Sequence, residues 1–145
     1  MEALELQTQT NTASSTLLFK DTCAEIYHEK NANIIGIFMK GLTKNQCYQA
    51  NCEKALTYLS RLGSIKILLD LSQLMMMNVE DRNWTENVWQ QEIASTGLKK
   101  MAILMPDDLF ASLSVNKMVE SLKKNAYWKT ETFDNEEQAY EWLTK

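Results

Sequence analysis

One histidine, His28, and three cysteines, Cys23, Cys47 and Cys52, leave little material for metal or nucleophilic chemistry. An odd and sparse cysteine count argues against a disulfide framework. Cys47 and Cys52 stand five apart on a predicted helix, a poor spacing for a shared metal. With a single histidine in the chain, a zinc site would need unusual ligands. All three cysteines therefore read as free buried thiols. The chain also lacks a Gly-rich phosphate loop, a GxSxG elbow and a His/Cys/Asp ligand cluster. His28 falls at a strand end with no Ser or Cys partner nearby in sequence, and reads as a solvated edge residue. No nucleophile with an adjacent base can be assembled, so catalysis is not expected and no cofactor is implied.

A basic excess is missing too. Lys and Arg number 15 against 19 Asp and Glu, a net charge of −4. Short basic pairs occur only at Lys99-Lys100 and Lys123-Lys124, too little to neutralise a run of phosphates, so nucleic acid is not expected as a partner. No apolar run approaches the roughly 20 residues that a membrane span requires. Met1–Ser15 is polar and lacks the basic start and apolar centre of a signal peptide, which makes the cytoplasm the expected location. That segment reads as a loose arm, and 16–145 as one domain. What is present is an ordinary core: 45% of residues are apolar and 23% charged.

Thr16–Lys20, Cys23–Glu29 and Asn33–Lys40 alternate and turn like a β-meander. Gly36 inside the third strand points to a bulge or a close backbone approach. Thr43–Leu62 is the clearest helix. Tyr48, Cys52, Ala55, Leu59 and Leu62 form one stripe at spacings of 4, 3, 4 and 3. Thr43 with Gln46 fits a capping box, and Gly63 is placed to end the helix. Ile65–Leu69 is nearly all apolar, as a strand covered on both faces should be. Lys99–Met105 is a second such strand and Trp128–Phe133 a third. Between them, Ala111, Val115, Met118 and Leu122 stripe a helix that starts at Pro106-Asp107-Asp108. Asp134 with Glu137 is placed to cap a closing helix packed by Ala139, Trp142 and Leu143. A meander followed by αβαβαβα implies parallel strands joined by right-handed crossovers.

Val79–Ser95 is helical but carries apolar groups on two sides. At about 100° per residue, Trp84 and Val88 share one side, and Trp89 and Ile93 another some 140° away. A helix on a sheet needs one. Either the second side meets a partner or ligand, since tryptophan is a frequent interface anchor, or the helix is sandwiched and both rings are buried. Met75-Met76-Met77 is similarly two-valued. Soft, unbranched side chains suit an adaptable apolar contact, and they also fill cores. Asp70 and Ser72 follow the buried strand, where α/β folds collect ligands, or simply bond the amides of the next turn.

The run IKILLDLSQLMMMN (Ile65–Asn78) resembles the central strand and loop of the STAS family, to which anti-sigma-factor antagonists belong. The ending FDNEEQAYEWL (Phe133–Leu143), with Trp84 and the strand closing at Pro106, is similar to its SpoIIAA-like (STAS/SEC14-type) branch. The resemblance implies an α/β domain with a mixed four- to five-stranded sheet, the meander at its start and about four helices around it. It implies no catalysis. The antagonist branch works by protein binding under a phosphorylation switch, but Val79 occupies the phosphoacceptor slot, Asn78 stands where Asp is preferred, and Glu80–Trp84 replaces a small helix start. The comparison with SEC14 implies instead a lipid-like or other apolar ligand. The expectation is thus a non-catalytic regulatory or protein-interaction module, a homodimer included, with a small apolar ligand as the alternative. Asp70, Ser72, Met75, Met76, Asn78, Trp84 and Trp89 are its candidate contact residues.

Overall fold

The computed structural model describes residues 14–145. Most of the expected arm therefore lies outside the described residues, and Ser15 already opens the first strand. Six strands form one sheet in chain order: β1 (Ser15–Lys20), β2 (Ala24–Glu29), β3 (Ile34–Leu42), β4 (Lys66–Met76), β5 (Lys100–Leu104) and β6 (Lys129–Phe133). β1 pairs antiparallel with β2, and β2 with β3. β3 to β6 are parallel. The four- to five-stranded sheet implied by the family resemblance is thus too small, because the whole meander joins the parallel strands through β3 instead of standing beside them.

Alternation along the strands decides the layers. Ile35, Ile37, Ile67, Leu69, Leu71, Met101 and Ile103 face one way, into a core shared with α1 (Asn45–Arg61), the helix that follows β4, and α4 (Leu109–Lys123). Crossovers of one hand between strands in sequential order put all these helices on the same face. Ile34, Leu68, Ala102 and Leu104 point to the opposite face, where Ala139 and Leu143 of α5 (Glu136–Leu143) cover them. This two-sided burial explains the unbroken apolar reading of β4 and β5.

Several local expectations change. Thr43 does not cap α1. Its N-cap residue is Lys44, which makes no side-chain bond, and the Thr43 hydroxyl is used elsewhere. Asn135, not Asp134, caps α5, accepting from the Gln138 amide. Gly36 sits in regular register, and a shift falls instead between Gly41 and Leu42, with Gly41 at φ +73°. Gly63 does end α1, at φ +63°. His28 shares a 2.8 Å hydrogen bond with the Asn33 side chain.

Two corrections are larger. Cys23 and Cys47 are not free thiols: they form a disulfide between the start of β2 and the first turn of α1, and only Cys52 remains a buried thiol. The β2–β3 hairpin folds the chain back to bring together sulfurs that lie 24 residues apart, which spacing alone does not reveal. The second change is in the helix after β4. It runs as α2 (Val79–Trp84), a π-helical turn (Thr85–Trp89) and α3 (Gln90–Ala94). The Gln90 amide bonds the Thr85 carbonyl, five residues back. A π-turn brings residues i and i+5 nearly into line. It therefore cancels most of the phase difference expected between Trp84 and Trp89.

Candidate functional site

β4 is longer than its neighbour. Its pairing with β5 stops at Asp70, opposite Leu104, while its pairing with β3 continues to Met76 opposite Leu42. The Met run expected in a loop is therefore the exposed end of a strand. Met77 turns inward and is buried, whereas Met75 and Met76 stay in solvent.

A set of polar bonds fixes this end. The Thr43 amide donates to the Met76 carbonyl at 3.1 Å. The Asn78 amide donates to the Thr43 hydroxyl at 3.0 Å, and the Asn78 side-chain nitrogen donates to the Thr43 carbonyl at 3.3 Å. Asn78 Oδ1 accepts from the Asp81 amide at 2.7 Å, which caps α2. Asn78 thus holds the junction of β3, β4 and α2 together. On the other side, the Met77 amide donates to the Ser114 hydroxyl of α4 at 3.1 Å, and the Asp107 amide to the Ser72 carbonyl at 3.3 Å. These bonds place the starts of α2 and α4 beside the end of β4.

That end exposes apolar side chains. Phe110 is 71% exposed, Leu109 67% and Met75 61%, and Leu42, Met76, Val79 and Leu113 are also open. Single exposed apolar residues are ordinary; what singles these out is that they fall together on adjoining elements. Sequence reasoning named Met75 and Met76 as candidates and did not name Leu109, Phe110 and Leu113, which are exposed beside them. The signal was available: at about 100° per residue, Leu109 and Leu113 lie opposite the Ala111–Val115–Met118 stripe.

The other predicted residues are elsewhere. By register, Asp70 shares the α5 face of the sheet with Phe38 and Leu104. Its carboxylate accepts from the Ser72 amide at 2.9 Å and the Ser72 hydroxyl at 2.7 Å. Loss of water around Asp70 pushes its carboxyl above the usual range, Ser72 pulls it back, and Asp107 adds to the rise. Glu136, at the start of α5, is pushed up by burial and then by the charge of Asp70. The Asp70 and Ser72 side chains are thus bonded to each other, while the Ser72 carbonyl ties β4 to the segment before α4.

Trp89 is wholly buried, and its indole nitrogen donates to the Cys52 carbonyl at 3.1 Å. No atom of Trp89 is available to a partner, which corrects its expected place in a contact surface. Trp84 stacks on it at 6.5 Å between ring centres and meets Tyr48 edge-on at 6.1 Å. The Tyr48 hydroxyl shares a 2.7 Å bond with Thr85, which in turn donates to the Asp81 carbonyl. The space between sheet and helix is filled by Trp89, Ile93 and Met77. A groove of about 420 Å³ lies outside, between the π-turn and α4, lined by charged and polar groups including Glu86, Lys117 and Lys124.

With this geometry in view, the chain can be set beside known proteins. A family model described as SpoIIAA-like matches residues 34–144. No curated protein matches. Solved structures share the fold, and two of them illustrate it. One is an uncharacterized protein of the DUF3478 family from Shewanella loihica PV-4, with a SpoIIAA-like fold, 13% identical at a TM-score of 0.56; the match covers 87% of this chain and 98% of that one. The other is the anti-sigma factor antagonist SpoIIAA in its unphosphorylated form, 12% identical at a TM-score of 0.59, covering 83% of this chain and 96% of that one. At these identities the structures attest the fold alone.

Proposed function

Because this chain belongs to the SpoIIAA-like family, we propose that it is a non-catalytic regulatory module acting through protein contact at the carboxyl end of the sheet. One observation carries the reading: exposed Leu42, Met75, Met76, Val79, Leu109 and Phe110 gather where β4 outruns β5 and α2 and α4 begin. The hydrogen bonds through Thr43, Asn78 and Ser114 hold that surface in one shape. Binding then costs little ordering, which favours affinity. An anti-sigma factor antagonist with this fold, as its name says, acts on another protein.

Regulation follows a different route from a phosphorylated residue at the first position of α2. Val79 stands there and has no hydroxyl to modify. Trp84 is half-buried and packs against Trp89 and Tyr48, so it belongs to the core side of the helix more than to this surface. A small apolar ligand between sheet and helix draws no support from the packing, because Trp89 and Ile93 fill that space.

Sedimentation velocity over a wide concentration range tests the homodimeric form of this reading. Reversible dimerisation that disappears in a Met75→Glu, Phe110→Glu double variant of unchanged melting temperature is the expected result. Dimers that persist in that variant would place the contact elsewhere.

A further inference from the structure

A second cluster lies where the β1–β2 turn meets the first turn of α1. Asp21, Cys23 and Cys47 offer ligand atoms that all lie within 4.8 Å of one another. We infer that, once the Cys23–Cys47 disulfide is reduced, these three residues form a binding site for Zn²⁺.

Each ligand atom is placed by the local fold. Asp21 occupies the turn between β1 and β2, and its Oδ1 accepts from the amides of Cys23 at 2.8 Å and Ala24 at 3.0 Å. This fixes the carboxylate so that Oδ2 faces Cys47, 3.5 Å from its sulfur. A tetrahedral Zn²⁺ with Zn–S near 2.3 Å and Zn–O near 2.0 Å sets its sulfur and oxygen ligands about 3.5 Å apart. The observed spacing matches. Amides that orient a ligating carboxylate are the usual supporting shell of a metal site. Cys47 lies in the first turn of α1, where the helix dipole favours a thiolate.

Asn51 supports the site from beside it. It is 1% exposed, and its Nδ2 donates to Asp21 Oδ2 at 3.0 Å and to the Cys47 carbonyl at 2.8 Å, which ties the carboxylate to the first turn of α1. Three protein ligands leave the fourth position of a tetrahedral ion to water. The Lys54 ammonium, which acts on Asp21 through its charge, is drawn over the Phe19 ring at 4.5 Å. Two thiolates with oxygen donors select Zn²⁺ over the oxygen-seeking Mg²⁺ and Ca²⁺.

The redox step balances with a dithiol reductant. One thiolate of the reductant attacks a sulfur of the pair, giving a mixed disulfide and releasing one protein thiolate. The second reductant thiol closes the reductant's own disulfide and frees the other protein sulfur. Two electrons and two protons pass to Cys23 and Cys47. Zn²⁺ then displaces those protons into solvent. The oxidised chain is clipped by a covalent bond and the reduced chain by the ion, at the same place.

The test uses the full chain, reduced with dithiothreitol and exchanged without oxygen. Zn²⁺ is titrated against a chromophoric chelator, and Co²⁺ serves as a spectroscopic stand-in. One Zn²⁺ per reduced chain, release of about two protons and a thiolate-to-cobalt charge-transfer band are expected. Asp21→Asn should weaken binding at least tenfold, and oxidised chain should bind only at background. The Cys23→Ser, Cys47→Ser double variant is the second reference, with the oxidised chain standing in if that variant fails to fold. Zn²⁺ uptake by reduced chain no greater than by these references, or a Cys23–Cys47 bond that resists reduction in the folded protein, would overturn the assignment.

Discussion

Two regions of this protein concentrate large apolar side chains, and they resolve in opposite ways. Around the π-turn, Trp89, Ile93 and Met77 are buried, and Trp84 stacks on Trp89 beside Tyr48. At the carboxyl end of the sheet, Met75, Phe110 and Leu109 lie open to solvent. The first region stores stability and the second leaves apolar surface unburied. The lesson is that tryptophans on two predicted helix sides were a weak functional clue, because backbone geometry could fold the two sides into one. Apolar residues at element ends, outside any stripe, are the ones that stay exposed.

Substitutions can break or sharpen this contrast. The largest effect belongs to Trp89→Ala, which removes a buried ring and leaves a cavity; chemical denaturation should show a loss of about 3–5 kcal/mol. A loss under 1 kcal/mol would mean that the ring is not core. Asn78→Ala removes both the α2 cap and the side-chain bond to the Thr43 carbonyl, and should cost roughly 1–2 kcal/mol in the same measurement. It should weaken association as well, since it loosens the frame of the exposed surface.

Asp70→Asn tests a different kind of burial. Desolvation raises the folded Asp70 pKa, so this group favours folding at acid pH and loses that contribution as pH rises through its folded value. The amide should therefore raise the melting temperature at pH 7, by about 3 °C if some 1 kcal/mol is involved, with the gain vanishing below the unfolded carboxylate value. Glu136 should titrate lower in the variant, because the Asp70 charge contributes to its rise. NMR of the Glu136 carboxyl reads this directly, and an unmoved titration would disconnect the two groups. The smallest effect on stability is expected from Met75→Glu or Phe110→Glu, within about 0.5 kcal/mol as for other exposed sites. A larger loss would show that these side chains are packed after all.

Strong periodicity made much of this fold legible. The stripe through Tyr48, Cys52, Ala55 and Leu59 marked α1 and its buried face, and the apolar runs marked β4 and β5. The length of the Met run's strand was less legible, since polar Asp70, Ser72 and Gln73 interrupt it while its pairing to β3 continues. The π-turn was invisible to a reading at fixed 100° steps, because what decides it is one displaced hydrogen bond at Gln90. Cys23 and Cys47 were misread for a similar reason: only the hairpin between them sets their distance. Within the candidate site, Met75 and Met76 were readable from composition. Leu109 and Phe110 were obscured by the stripe on the opposite side of the same helix.

The most direct test of a contact surface at the carboxyl end of the sheet is site-specific photocrosslinking in living cells. A photoreactive phenylalanine analogue is placed at Phe110, with a control at Glu53 on the exposed side of α1. Discrete protein adducts from position 110 and none from position 53 are predicted, whether the adduct is a second copy or another chain. Equal adducts from both positions, or none from position 110, would contradict the account.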